Sequence, residues 1–214
     1  MEQKSQPAQS LSQFSVSEFL QKLSSEEAIP GGGSVSALAG ALGAALIVMY
    51  CKIGAARKNV TAENQAALQK VSTAAEALEA QLTRLITDDS VAYGEVMQAF
   101  KLPKTTEEET RARQSAIQKA FHRAAEVPLQ TLHACLECLN LTAEVSVHGS
   151  KSAFSDLKVA ESMCQAGAKG AIENVEINLP SIKDAETVRA LQSKLSQYKD
   201  VLEKSLGREI ARPA

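Results

Sequence analysis

Residues 30–53 read PGGGSVSALAGALGAALIVMYCKI: three glycines behind a proline, then small and aliphatic side chains without a charge from Gly31 to Cys51. About twenty apolar residues are enough to span a bilayer. Gly, Ala and Ser dominate this run, however, only its second half carries large aliphatics, and no other segment of the chain resembles it. The better fit is a central helix of a soluble bundle, apolar all round because other helices surround it on every side. Ala37, Gly40, Gly43 and Ala44 would let neighbouring backbones come close, within the chain or across a subunit interface. The head of the run, Pro30, Gly31, Gly32, Gly33 and Ser34, reads two ways. It is either a flexible turn or a site where unobstructed N–H groups at the positive end of the helix dipole meet an anionic or carbonyl group. No Gly-Lys-Ser/Thr follows it and no strand precedes it, so it is neither a Walker loop nor a dinucleotide fingerprint.

Working outward, every long segment has helical spacing. Residues 1–13 are polar and read as a mobile tail. Ser15 and Glu18 then form a capping box, with Phe14 and Phe19 at the spacing of a hydrophobic staple. That helix ends before Ile29, because Pro30 disfavours the helical conformation in the residue ahead of it. Helices are predicted over 34–59 and 61–100, the second with Leu68, Val71, Ala75, Leu78, Leu82, Leu85 and Ile86 on its apolar side. A turn at KLPK leads to TTEEETRAR, where Thr105 with Glu108 or Thr106 with Glu109 supplies the next capping box. Pro128 implies a kink or the first turn of a new helix. That helix reaches residue 147, and His148-Gly149-Ser150 breaks it. A helix over 155–173, an extended or loop-like NVEINLPSIKD and a last helix over 184–206 complete the chain. No segment alternates with period two. The fold class is all-α, an antiparallel bundle of long helices, with residues 14–214 as one domain.

Composition narrows the function. Of 214 residues, 44% are hydrophobic and 22% charged, the range of a globular chain. A net charge of −2, 4% aromatics and no Trp give no footprint for nucleic acid, by charge or by stacking. Cys51, Cys135, Cys138 and Cys164 are too few to staple a chain of this size, and no signal peptide precedes them, so a reducing cytoplasm is expected. Cys135 and Cys138 form a CxxC inside a helical pattern, with no second pair to complete a metal site, and read as packing thiols. His122 and His133 sit mid-helix; His148 stands beside the Gly149 break.

Four ordered segments together carry a family resemblance. They are PGGGSVSALAGALGAAL, LITDDSVAYGEVMQAFKLPK, RQSAIQKAFHRAAEVPL, and GSKSAFSDLKVA with ENVEINLPSIKD. They resemble the formimidoyltetrahydrofolate cyclodeaminase / methenyltetrahydrofolate cyclohydrolase family over nearly all of residues 15–206. The resemblance implies an all-helical homodimer whose substrate is a tetrahydrofolate derivative, with no metal, no nucleic acid and no membrane as partner. Asp89 matches the family's aspartate in the third helix and is the candidate acid/base. Tyr93, one turn later, faces the same side. Asp156, after Ser155, is expected to bond the pterin amino and ring N–H groups, with a helix-capping role as the rival. Gly149-Ser150 stands where the family has Gly-Asn, and Ser152 where a second Asn is common. Arg57, Lys58, Lys104 and Arg113 are candidates for the glutamate tail, Arg113 also for an intersubunit carboxylate.

The chemistry implied is attack on a carbon between two nitrogens. In the cyclodeaminase reaction a folate nitrogen attacks the formimidoyl carbon and ammonia leaves; in the cyclohydrolase reaction water opens the methenyl bridge. Both need one group to take a proton from the nucleophile and one to give a proton to the leaving nitrogen. Cyclodeaminase is the first expectation and cyclohydrolase the second. The Ser150 departure leaves room for a third, a helical interaction module without chemistry.

Overall fold

The computed structural model describes residues 10–213, so the expectation for residues 1–9 lies outside it. Six helices carry the fold: α1 (Val16–Leu23), α2 (Gly32–Ala55), α3 (Ala62–Lys101), α4 (Glu107–Val145), α5 (Phe154–Asn178) and α6 (Ala185–Leu206). No strand occurs among the described residues.

Caps place the helix starts. Ser15 and Glu18 close a capping box before α1, and Thr106 and Glu109 another before α4. The Thr61 hydroxyl accepts from the Asn64 N–H at α3, and Asp184 from the Thr187 N–H at α6. Each such side chain satisfies an amide that the helix itself cannot.

α2 is the axis of the bundle, packed against α3, α4 and α5. α3 and α5 run antiparallel to it: Ser34 meets Ile86 and Gly54 meets Leu68, while Gly43 meets Cys164 and Gly32 meets Asn174. Close packing explains the small residues. A Cβ at Gly40 would lie 2.7 Å from Cys135 Sγ, and one at Gly167 2.7 Å from the Ser36 carbonyl. α6 packs outside, on α4 and α5. The four cysteines are free and buried, three of them in this seam around Gly40, Gly43 and Gly167.

Several expectations change. Leu11–Gln13, assigned to the tail, form a short 3-10 turn: Leu11 is buried and the Ser10 hydroxyl lies 2.7 Å from that of Thr87. α2 starts within the glycines and ends at Ala55 rather than at residue 59. α4 continues through Pro128, so of the two expected outcomes there no new helix begins. Proline removes an N–H and orphans the carbonyl four residues back, and here Asn178 Nδ2 donates to that Ala124 carbonyl at 3.1 Å. NVEIN is helical, the end of α5, because Val175 is fully buried on its inner face. Finally, α2 is not enclosed on every side: Val35, Leu42, Met49 and Ile53 are exposed, two turns or one turn apart along one stripe.

Candidate active site

The head of α2 meets the middle of α3 and the end of α5. There a cleft of about 370 Å³ is lined by Gly31, Gly32, Gly33, Asp89, Tyr93 and Asn174, with Ile29, Phe121 and Ile177 among its apolar walls. The Ser34 hydroxyl lies 2.8 Å from the Ile86 carbonyl and 3.0 Å from Asp89 Oδ2, two acceptors for its one proton. The Ser90 hydroxyl stands 3.0 Å from it and can supply a further proton.

Among the described residues, Asp89 is the only charged side chain lining the cleft. Burial holds its carboxyl above the ordinary carboxylate range, opposed by hydrogen bonds from the hydroxyl and backbone N–H of Ser34. A Cβ on Gly33 would collide with both carboxylate oxygens. The helix head therefore receives an anion, as its dipole favours, but that anion is Asp89 of the same chain. Gly33 is glycine because a carboxylate crosses over it. Tyr93, 42% exposed, follows Asp89 by one turn at the rim.

Asn174 and Asn178 are site residues the sequence reading missed. They lie four apart on the inner face of α5, and both line the cleft. Asn174 Nδ2 donates to the Gly170 carbonyl at 2.8 Å, which fixes its amide against Gly32. Their signal was present in ENVEINLPSIKD, but an extended reading of that segment hides the shared face.

The other expected residues lie elsewhere. Gly149, Ser150, Ser155, Asp156, Arg57 and Lys58 gather at the foot of α2, and Asp156 is about 27 Å from Asn174 along α5. Gly149 packs on Tyr50: a Cβ there would enter the buried phenol ring. The Tyr50 hydroxyl donates to the Ser146 carbonyl at 2.7 Å, and burial pushes its pKa up to about 12. Ser150 caps the 3-10 turn Lys151–Ala153 through the Ser152 N–H. Arg57 is tied to the His148 carbonyl at 2.7 Å. The N-cap of α5 is Ala153, so Asp156 stands in the first turn without a capping bond. Lys104 and Arg113 lie past the other end of α2, where Arg113 donates to the Phe100 carbonyl at 3.1 and 3.3 Å. One chain thus joins Asp89, Tyr93 and residues 31–34, and leaves the Asp156 group at the opposite end. Among the described residues, no three His, Cys, Asp or Glu side chains gather as a metal-holding group.

Comparison with known proteins finds both a family and a fold for this chain. The family model described as formiminotransferase-cyclodeaminase matches residues 15–197. The methenyltetrahydrofolate cyclohydrolase of Methylorubrum extorquens is 39% identical over 166 residues, 78% of this chain and 79% of that one. The formimidoyltransferase-cyclodeaminase of Mus musculus is 35% identical over 178 residues, 83% of this chain but only 33% of the mouse protein. The crystal structure of formiminotetrahydrofolate cyclodeaminase from Thermotoga maritima superposes with a TM-score of 0.79, covering 90% of this chain and 92% of that one at 25% identity. The chain belongs to the formiminotransferase-cyclodeaminase family, as an enzyme of its cyclodeaminase/cyclohydrolase kind acting on one-carbon adducts of tetrahydrofolate.

Proposed function

We propose that this protein is a methenyltetrahydrofolate cyclohydrolase with Asp89 as its acid/base. The observation that carries the reading is a single buried carboxyl in an otherwise uncharged cleft. A methenyl bridge is a delocalised cation, and a lone carboxylate in a low-dielectric wall attracts it and stabilises the charge. Water attacks the bridging carbon and gives one proton to Asp89. Asp89 then returns that proton to the leaving nitrogen as its bond to carbon breaks. The hydroxyl on the carbon loses its proton to solvent and becomes the formyl carbonyl. A carboxyl held above its ordinary pKa is a stronger base toward the attacking water. Ser34 and Gly33 hold it in position.

Cyclodeaminase stands second, reversing the order taken from sequence. The same carboxyl serves it, taking the proton of the attacking folate nitrogen and giving one to departing ammonia. The Thermotoga structure supports that activity. Cyclohydrolase comes first because the Methylorubrum relative is 39% identical, against 35% for the mouse protein and 25% for the Thermotoga structure. Purified protein is tested by the fall in near-ultraviolet absorbance of methenyltetrahydrofolate, and by its rise from the formimidoyl compound. The expected result is faster turnover in the first assay. Faster turnover in the second reverses the assignment, and none in either overturns both.

A homodimer belongs to the same reading. The exposed apolar stripe Val35, Leu42, Met49, Ile53 is a face that a second copy would cover under a two-fold axis. Antiparallel pairing of two α2 helices sets the foot of one beside the head of the other. The partner's Asp156 then faces the Asp89 cleft, where it bonds the pterin N–H groups. The two halves of the expected site meet between chains.

A further inference from the structure

We propose that the segment 207–213, beyond α6, clamps the first turn of α5, and that Ile210 and Arg212 are positioning residues for Asp156. This rests on the shared-site reading above, in which Asp156 serves the Asp89 cleft of a partner chain. Among the described residues, α2 and α5 are the two helices that begin without a side-chain cap, at Gly31 and Ala153. They also carry the two halves of the expected site. An uncapped start leaves amides that the helix cannot pair and is prone to fray, so each half needs support from a distant part of the chain. At α2 the support is Asp89, which accepts from the hydroxyl and N–H of Ser34. At α5 it is the segment that follows α6.

Residues 208–213 form no helix, yet three contacts pin them. Arg208 Nη2 donates to the Leu139 carbonyl of α4 at 3.4 Å. Ile210 is buried in the same apolar core as Phe154 and Leu157. The Arg212 guanidinium lies 5.4 Å over the Phe154 ring, a cation–π contact. Among the described residues no carboxylate pairs with Arg212, so nothing draws it off the ring. Phe154 opens α5, two residues ahead of Asp156. Between the segment and α5 runs a groove of about 750 Å³, with Phe154, Ser155 and Lys158 on one side and Glu209, Ile210 and Arg212 on the other. Asp156 does not line it. The clamp therefore grips the backbone turn that carries Asp156 and leaves the carboxylate itself free for the substrate. In the dimer, residues beyond α6 of one chain then govern turnover in the cleft of the other.

The experiment uses the full chain, with Ile210→Ala/Arg212→Gln as the stronger variant and Arg212→Gln alone as the milder one. In the first, kcat/KM for methenyltetrahydrofolate should fall about ten- to a hundredfold, the range for a site group displaced by about an ångström. In the second it should fall about two- to fivefold, the factor of one exposed cation–π contact. Subunit exchange then separates a clamp from a general loosening of the fold. Mixed with Asp89→Asn in equal amounts, the double variant should recover about a quarter of wild-type activity, because the Asp89→Asn chain brings an intact clamp and Asp156 to the other chain's Asp89. Mixed with Asp156→Asn it should recover nothing, since both defects fall in the same half. Should the double variant not fold, Arg212→Gln, whose side chain is exposed, carries the same comparison, with about twice the activity in the first mixture as in the second. Wild-type kcat/KM in the double variant overturns the inference. So does recovery with Asp156→Asn, or recovery with neither while Asp89→Asn and Asp156→Asn restore each other. Failure of that last pair overturns the shared-site reading, and this inference with it.

Discussion

At the scale of the residue, Asp89 and Gly33 form a unit. Asp89→Asn keeps an oxygen for the Ser34 N–H but cannot shuttle a proton, so turnover should fall by about 10²–10⁴-fold. Stability should move the other way. Burial raises the folded pKa of Asp89, so the folded state holds the proton more tightly than the unfolded chain does. Stability is therefore lost as pH rises from the unfolded carboxyl value, about 3.9, through the folded one. The asparagine has no such titration. Its melting temperature should match or exceed that of the wild type at neutral pH, with the gap closing in acid; a variant that melts lower at neutral pH contradicts the desolvated site. Gly33→Ala places its methyl where the carboxylate lies. Asp89 can swing away, so the chain should fold, but turnover should drop at least about a hundredfold. The sequence marked both residues. What it could not give was their relation, because a glycine signals that something comes close without saying what.

At the scale of the element, capped helix starts and the ends of α3 and α6 were legible, while the ends of α2 and α5 were not. Ser15, Thr61, Thr106 and Asp184 cap through their own side chains, a signal written locally. The new-helix alternative at Pro128 and the extended reading of NVEIN failed because their outcome is settled by contact between helices. The carbonyl that Pro128 orphans is taken by Asn178 of α5, and burial of Val175 overrides β-branching. This invites a double-mutant cycle. Asn178→Leu should cost about 1–3 kcal/mol by leaving the Ala124 carbonyl unpaired. In a Pro128→Ala background the restored N–H reaches that carbonyl, and the cost should shrink by more than half in denaturant titrations. Equal costs in both backgrounds would show that Asn178 does not serve the proline break.

At the scale of the whole molecule, the bundle itself followed from helical spacing and from one all-apolar segment. The grouping of the site did not: one chain sets Asp89 and Asp156 at opposite ends of α2, and only the proposed dimer would join them. Two measurements address this. Leu42, 50% exposed in the middle of the stripe, should hold copies together, so Leu42→Glu should shift sedimentation from dimer to monomer and lower turnover. Asp89→Asn and Asp156→Asn should each be inactive alone. Mixed, dissociated and reassociated in equal amounts, they should regain about a quarter of wild-type activity, since half the dimers are hybrids with one complete site of two. No recovery on mixing would confine the site to one chain.

The buried cysteines give the fold a built-in clock. All four thiols are shielded, and burial pushes Cys51 up to about 12, so a thiol reagent finds almost no thiolate in the native protein. Cys135 and Cys164 sit in the seam where α2, α4 and α5 touch, and Cys138 lies against Cys164. Labelling should therefore wait for global opening and proceed as one kinetic phase. Its rate gives the lifetime of the folded chain without any engineered probe.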